Sequence, residues 1–84
     1  MTDEKLIGEI FAYFANIGVA AINLSDSLKL GDKIHVIGST TDFIQKVKSM
    51  QIEHKPIDKV KPGDDVGLKV DDRVRPKDKI YKVL

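Results

Sequence analysis

Pairs of acidic residues are the first candidates for chemistry in this chain. Gly63-Asp64-Asp65 has the letters of a polymerase metal motif, and Asp71-Asp72 offers a second pair of carboxylates. Two-metal chemistry holds its ions about 4 Å apart and needs a further carboxylate on a separate strand. Both pairs instead stand in turns, the first after Pro62 and the second before Arg73. We therefore interpret them as turn residues and expect neither a metal nor a cofactor.

Histidine and serine residues also fail to form a catalytic pattern. His35 and His54 lie far apart in a chain without cysteine, so no zinc site is predicted. His35 alternates with apolar residues and is expected to be a solvated strand histidine. Ser25, Ser27 and Ser39 lack a Gly-x-Ser-x-Gly context. Since no Gly-x-x-x-x-Gly-Lys-Ser/Thr loop is present either, we exclude a nucleotide site and predict that the chain is not an enzyme.

Basic residues in the second half of the chain support a binding function. The total net charge is +1 with a pI near 8.0, but residues 1–42 carry −3 and residues 43–84 carry +4. This asymmetry fits an anionic partner such as RNA, and equally fits solvated strand faces, since nucleic-acid binding usually raises the pI above 9. Strand pairing could place the last turn near residues 46–48. The candidate RNA-binding residues are Lys46, Lys48, Lys55, Arg73, Arg75 and Lys77.

A short phrase occurs three times and marks the elements that position these residues. It reads Gly31-Asp32-Lys33-Ile34, Gly63-Asp64-Asp65-Val66 and Lys77-Asp78-Lys79-Ile80. Glycine and proline set the dihedral angles of tight turns, and Asp can hydrogen-bond to the backbone there. Each phrase is therefore predicted to reverse the chain and to start a strand.

Short strands are predicted between these turns. Residues 19–24 and 33–37 read as strands, and so do the alternating apolar residues of 66–70 and the segment 80–83. A longer strand is expected over 43–52, with a β-bulge near Lys48-Ser49 to restore its inward face. Residues 57–61 form a connection anchored by Ile57 and Val60. Residues 6–17 fit both a helix and a strand, and periodicity leaves both open.

Several of these motifs, in this order, resemble a known family. Ile17-Gly18-Val19-Ala20, Leu28-Lys29-Leu30-Gly31-Asp32 and Pro62-Gly63-Asp64-Asp65-Val66-Gly67 resemble the second, β-barrel domain of translational GTPases such as elongation factor Tu. Ser49-Met50-Gln51-Ile52 and residues 74–83 bring the chain nearer to small stand-alone elongation-factor-like proteins of archaea and some bacteria. They also resemble the barrel of collagenase-like peptidases involved in RNA modification. The resemblance spans about residues 5–84 and implies that the first segment is a strand.

This resemblance implies a fold and two possible functions. The fold would be an all-β, small closed antiparallel barrel of six to seven strands, forming a single domain over residues 1–84. The first function is a non-enzymatic module of translation or RNA modification that contacts tRNA or rRNA. The second is protein docking in trans, because the family occurs both stand-alone and fused. A first strand that is apolar on both sides leaves one side for a partner.

The docking hypothesis assigns specific residues to the interface, and the sequence also predicts where in the cell the protein is located. The candidate docking residues are Ile7, Phe11, Tyr13 and Ile17. The first residues are acidic where a signal peptide is basic, and no apolar run has membrane-spanning length. We therefore expect a cytoplasmic protein without a membrane partner.

Overall fold

The structure, a computed structural model, describes residues 3–84, so Met1 and Thr2 at the start of the predicted domain lie outside the described residues. These residues form ten β-strands and no helix. The strands are β1 Glu4–Phe14, β2 Val19–Leu24, β3 Leu28–Lys29, β4 Lys33–Ile37, β5 Asp42–Lys46, β6 Met50–Ile52, β7 Lys55–Ile57, β8 Lys59–Val60, β9 Asp65–Lys69 and β10 Lys79–Val83. Accordingly, the described part of the chain contains no helix long and apolar enough to cross a bilayer.

Antiparallel pairing joins the strands into two sheets. Eight strands form one sheet in the order β5-β4-β10-β1-β2-β9-β6-β7, and β3 pairs with β8 in a two-stranded ribbon. The prediction of an all-β antiparallel fold is thereby confirmed. The predicted number of six to seven strands is wrong, because the segment 43–52 is divided into β5 and β6, and the short strands β3, β7 and β8 lie where turns or a connection were expected. The connection expected over 57–61 contains β8 and the end of β7.

The predicted long strand over 43–52 is two strands that pair with different neighbours. β5 pairs with β4, whereas β6 pairs with β9 and β7. Between them Val47 binds the Gly31-Asp32 turn: its N–H donates to the Asp32 carbonyl at 2.8 Å, and its carbonyl accepts the Gly31 N–H at 2.9 Å. The slip in apolar spacing is therefore a change of pairing partner rather than a β-bulge.

Residues 42–52 connect the two flanks of the large sheet. Gln45 is buried, and its side chain donates to the Lys69 carbonyl at 3.0 Å and accepts the Asp71 N–H at 2.7 Å. The sheet consequently curves around its core. Because the pairings described within residues 3–84 include no ladder between β5 and β7, closure into a barrel stays a prediction.

One apolar core fills the inside of this curved sheet. Its members alternate along the strands, as in Ala20, Ile22 and Leu24 of β2, and all are at most 6% exposed. The full set is Ile7, Ile10, Ala20, Ile22, Leu24, Leu28, Ile34, Val36, Val47, Met50, Val60, Val66, Leu68, Val70, Val74 and Ile80.

Strand β1 confirms the strand implied by the resemblance, but two irregularities change which side chains point inward. The register slips between Leu6 and Gly8 against β10, and between Ile10 and Ala12 against β2. Phe11 is the additional residue at the second slip. As a result Ile7 and Ile10 are both completely buried, while Phe11 is 52% exposed. The prediction that Ile7 belongs to a docking face is wrong.

The three repeated phrases form turns of one kind. In segments 29–32, 61–64 and 75–78 the aspartate N–H donates to the carbonyl three residues earlier, at 3.1, 3.3 and 3.1 Å. The residue before each aspartate has a positive φ, as position i+2 of a type II turn requires. These φ values are 90° at Gly31, 91° at Gly63 and 79° at Lys77.

Candidate functional site

An open groove on the outer face of the sheet is the strongest candidate site. It has a volume of about 330 Å³ and lies between β1, β2, β9 and the β6–β7 hairpin. We call it the aromatic groove. Its lining residues are Phe11, Phe14, Ile17, Val19, Ala21, Gln51, Glu53, His54, Asp65, Val66 and Gly67.

Small residues on facing strands make the floor of the aromatic groove. Ala21 of β2 lies directly opposite Gly67 of β9. A Cβ atom on residue 67 would lie 3.1 Å from Gln51 Cγ and 3.2 Å from Val19 Cγ1, which is tighter than ordinary van der Waals contact. Glycine at this position therefore lets these two side chains approach each other over β9.

Three large apolar side chains stand exposed around this floor. Phe11, Phe14 and Ile17 are 52%, 49% and 51% exposed. A tight turn brings the last two together, because the N–H groups of Ile17 and Gly18 both donate to the Phe14 carbonyl, at 3.1 and 2.9 Å. Lys69 Nζ fixes the turn further by donating to the Ile17 carbonyl at 2.8 Å. Clustered apolar exposure of this kind marks interaction sites.

The opposite rim of the groove is a strained hairpin turn. Glu53 and His54 join β6 to β7, with Ile52 and Lys55 as the closing pair, and their φ values are 52° and 66°. Two-residue hairpins with two positive φ angles favour Asn-Gly. Residues with a Cβ atom lose about 1–2 kcal/mol each in this conformation. The chain nevertheless places a carboxylate and an imidazole at the rim.

The predicted docking residues are only partly brought together. Phe11 and Ile17 line the groove, whereas Ile7 is in the core. Tyr13 is half-buried against the core, because it lies opposite the inward-pointing Ala20. Sequence reasoning missed Phe14 as a groove residue. The turn signal at Asn16-Ile17-Gly18 was the available clue, since it folds Ile17 back beside the end of β1.

The predicted RNA-binding residues lie in several places. Lys48 forms an ion pair with Asp71 at 3.0 Å, so the β9–β10 connection does approach residues 46–48. Lys46 lies opposite Lys33 on β4, and Lys55 begins β7. Lys77 occupies the third type II turn. Arg73 and Arg75 share a pocket of about 260 Å³.

This arginine pocket has a mixed charge. Besides the two arginines it is lined by Thr40, Thr41, Asp42, Phe43 and Asp72. The two carboxylates offset the two guanidinium groups, and one aromatic ring lies beside them. The pocket is thus a modest candidate for an anionic ligand.

His35 is not the solvated histidine that the alternation predicted. Its side chain is 17% exposed, and its Nδ1 lies 2.8 Å from Glu4 Oε2 and its Nε2 2.5 Å from Asp42 Oδ1. The hydrogen bond to Asp42, assisted by Glu4, raises the pKa of His35 against the opposing effect of burial. Within residues 3–84 no group of three or more histidine, cysteine or acidic residues is arranged to hold a metal ion.

Sequence comparisons relate the chain to proteins named as proteases. No protein-family model matches it. It is 42% identical over 76 residues to an uncharacterized protease of Methanocaldococcus jannaschii, covering 89% of this chain and 19% of that protein. It is 36% identical over 84 residues to a collagenase of Porphyromonas gingivalis, covering 96% of this chain and 20% of the collagenase. The chain thus spans about a fifth of the length of these relatives.

Solved structures establish the fold. The C-terminal domain of a protein described as a U32 peptidase from Geobacillus thermoleovorans matches with a TM-score of 0.88 at 21% identity, covering 93% of this chain and 99% of that one. A second structure of the same domain gives a TM-score of 0.86. The collagenase-like part of the resemblance is therefore supported. The translation-factor part has no support from these relatives and stays a prediction.

Proposed function

We propose that the chain is a non-catalytic accessory module that docks, through the aromatic groove, onto the peptidase-bearing part of a U32-type protein. The observation that carries the proposal is the cluster of Phe11, Phe14 and Ile17, each about half exposed around one groove. The occupant follows from length, since about four-fifths of each relative lies outside the segment that this module matches. We also infer that the sheet closes into a barrel, which would hold the groove rigid.

The exposed surface is large enough to anchor a partner. A buried aromatic residue removes about 150–250 Å² from water, so three half-exposed side chains offer roughly 300 Å². At about 25 cal/mol per Å² this is roughly 7 kcal/mol of gross apolar transfer free energy. Association costs at least about 4 kcal/mol. The groove is therefore expected to supply the centre of an interface whose rim adds polar contacts.

The charges around the groove indicate the chemistry of the partner segment. Glu53 and Asp65 lie among its lining residues, whereas the ammonium group of Lys69 is engaged with the Ile17 carbonyl. An apolar side chain flanked by lysine or arginine would match this surface. Such a segment would bury its apolar group between the phenylalanines and place its cation at the acidic rim.

RNA binding is the second candidate function. It is favoured by the shared pocket of Arg73 and Arg75 beside Phe43, because arginine and an aromatic ring together suit a nucleotide. The presence of Asp42 and Asp72 in the same pocket, and the dispersal of the lysines, rank it second.

A binding measurement with a defined partner tests the docking proposal. The partner is the Methanocaldococcus relative from which the matching segment has been deleted, titrated calorimetrically with the 84-residue chain. We expect Phe11→Ser and Phe14→Ser each to weaken binding about tenfold or more, as anchor residues do. The matched controls are Leu6→Ser and Ile44→Ser, which alter equally exposed apolar residues outside the groove, at 47% and 52%.

The docking titration, together with an RNA-binding measurement, separates the two functions. Unchanged binding of both phenylalanine variants would contradict docking through the groove. RNA binding instead predicts that Lys46→Glu combined with Arg75→Glu weakens association with tRNA or rRNA, and that affinity falls steeply with added salt. Absence of any binding to these RNAs at low salt would exclude the second candidate.

A further inference from the structure

A second groove shares no lining residue with the aromatic groove and is lined by four lysines. It has a volume of about 880 Å³ and lies where the β3–β8 ribbon meets the end of β10. We call it the lysine groove and define it by Lys29, Lys59, Lys61 and Lys82, all of which line it. None of these residues belongs to the aromatic groove or to the predicted RNA-binding set.

The ribbon beneath this groove brings two positive charges face to face. β3 and β8 contain only two residue pairs, Leu28 opposite Val60 and Lys29 opposite Lys59. The first pair is buried in the core. Like charges directly opposite each other on paired strands are destabilising. The chain therefore tolerates an electrostatic cost at this position, and a bound anion would remove it.

Lys82 adds a cation on the inner side of the sheet. In the β10–β4 ladder Ile80 lies opposite Val36, and Lys82 lies opposite Ile34. Lys82 therefore lies on the same face of the sheet as these three fully buried residues. Its side chain is only 21% exposed. Asp32 Oδ2 lies 3.8 Å from Lys82 Nζ and already accepts the Lys29 backbone N–H at 3.0 Å, and Asp26, whose pKa Lys82 helps to lower, already pairs with Lys5. The ammonium group of Lys82 is thus held near the groove with a weak partner.

We propose that the lysine groove binds adjacent phosphate groups. Its lining contains four lysines and two aspartates, Asp32 and Asp64, so the side chains that line it carry a net charge of about +2, opposite in sign to a phosphate dianion. Lysine binds phosphate oxygens as a point charge, as the lysine of the phosphate-binding loop does. Because the lining includes no aromatic ring among the described residues, the groove contacts phosphates rather than bases. The ligand is a free oligophosphate or a nucleic-acid backbone.

Calorimetric titration of the 84-residue chain with tripolyphosphate at low salt tests this site. Lys29→Gln combined with Lys59→Gln should lower the affinity about tenfold or more, since it removes two of four cations. The matched control, Lys33→Gln with Lys79→Gln, makes the same change of charge at lysines of β4 and β10 that lie outside the groove and outside the predicted RNA-binding set. It should change the affinity less than about twofold. The groove variant also relieves the Lys29–Lys59 repulsion, so its urea midpoint should not fall.

A single-stranded RNA pentamer identifies the source of the phosphates. If four contacts form, log K should fall against log salt with a slope of about −2.8. If the pentamer binds and tripolyphosphate displaces it, the ligand is a nucleic-acid backbone. If tripolyphosphate binds and the pentamer does not, the ligand is a free oligophosphate. Binding of neither probe, or equal losses in the groove variant and its control, would overturn the proposal. Neither result bears on the aromatic groove, whose docking experiment uses other residues.

Discussion

Replacing Lys77 by glycine should stabilise the protein, because the chain itself uses glycine at the two equivalent positions. The three repeated turns share one backbone hydrogen bond, and their third residues have φ values of 90°, 91° and 79°. The first two are Gly31 and Gly63, but the third is Lys77. A residue with a Cβ atom is strained at such an angle, whereas glycine is not.

The size of the effect follows from two opposing contributions. Relief of the positive φ at residue 77 is worth about 1–2 kcal/mol. Glycine also increases the conformational entropy of the unfolded chain, which returns about 0.4–1 kcal/mol. We therefore expect Lys77→Gly to raise the free energy of unfolding by about 0.5–1 kcal/mol. The backbone N–H of residue 77, which donates to the Ile10 carbonyl at 2.7 Å, is retained.

Urea unfolding of three variants tests this reasoning. Lys77→Gly should raise the midpoint at an unchanged m-value, and the melting temperature should rise by roughly 2–8 °C. Lys77→Ala removes the charge but keeps the Cβ atom, so its midpoint should stay near that of the parent. Gly63→Ala should lower the midpoint by a similar amount, because a Cβ atom there meets nothing within 4 Å and only the backbone angle matters. A Lys77→Gly variant no more stable than Lys77→Ala would refute the argument.

Two further predictions concern a close contact and a titrating group. Gly38→Ala should destabilise the protein by about 2–4 kcal/mol in urea, because the new Cβ atom would lie 2.5 Å from Cγ of the buried Asp78. The hydrogen bond from His35 to Asp42, with that to Glu4, raises the pKa of His35 above its usual value of 6.5. The folded state therefore holds a proton that the unfolded state loses first, so stability should fall as pH rises from about 6.5 through the folded pKa. In His35→Gln this decrease between pH 6 and 8.5 should disappear, and persistence of the decrease would show that another group causes it.

The strands that the sequence predicted correctly are those whose side chains alternate without interruption. Residues 19–24 and 33–37 match β2 and β4 in both bounds, because one face of each strand is packed in the core. The segment 43–52 was harder to interpret. Its break at Val47 depends on hydrogen bonds to the Gly31-Asp32 turn, and such a distant partner leaves no periodic signal. The turns themselves were recognisable from Gly, Pro and Asp.

The candidate sites depended on register, which the sequence specifies weakly in β1. A slip of one residue moves a side chain to the opposite face of a sheet. The two slips in β1 bury Ile7 and turn Phe11 outward, so only part of the predicted docking face exists. The Lys29–Lys59 pairing likewise requires knowledge that two strands of two residues each meet. Residue types pointed to binding rather than catalysis, but pairing decided which surfaces they form.

The places where this chain departs from locally favourable choices argue for the two proposed sites. The non-glycine residues with positive φ in residues 3–84 are Glu53, His54 and Lys77, and the first two form the rim of the aromatic groove. The directly opposed Lys29 and Lys59 lie in the lysine groove, as does Lys82, which lies opposite Lys5; one further opposed pair, Lys33 and Lys46, lies outside it. Strain tends to persist where it serves a function, so an observed outlier is a reason to look for one. Lys77, one of the predicted RNA-binding residues, lines neither groove, so a stabilising substitution there should leave binding at the aromatic groove and at the lysine groove intact.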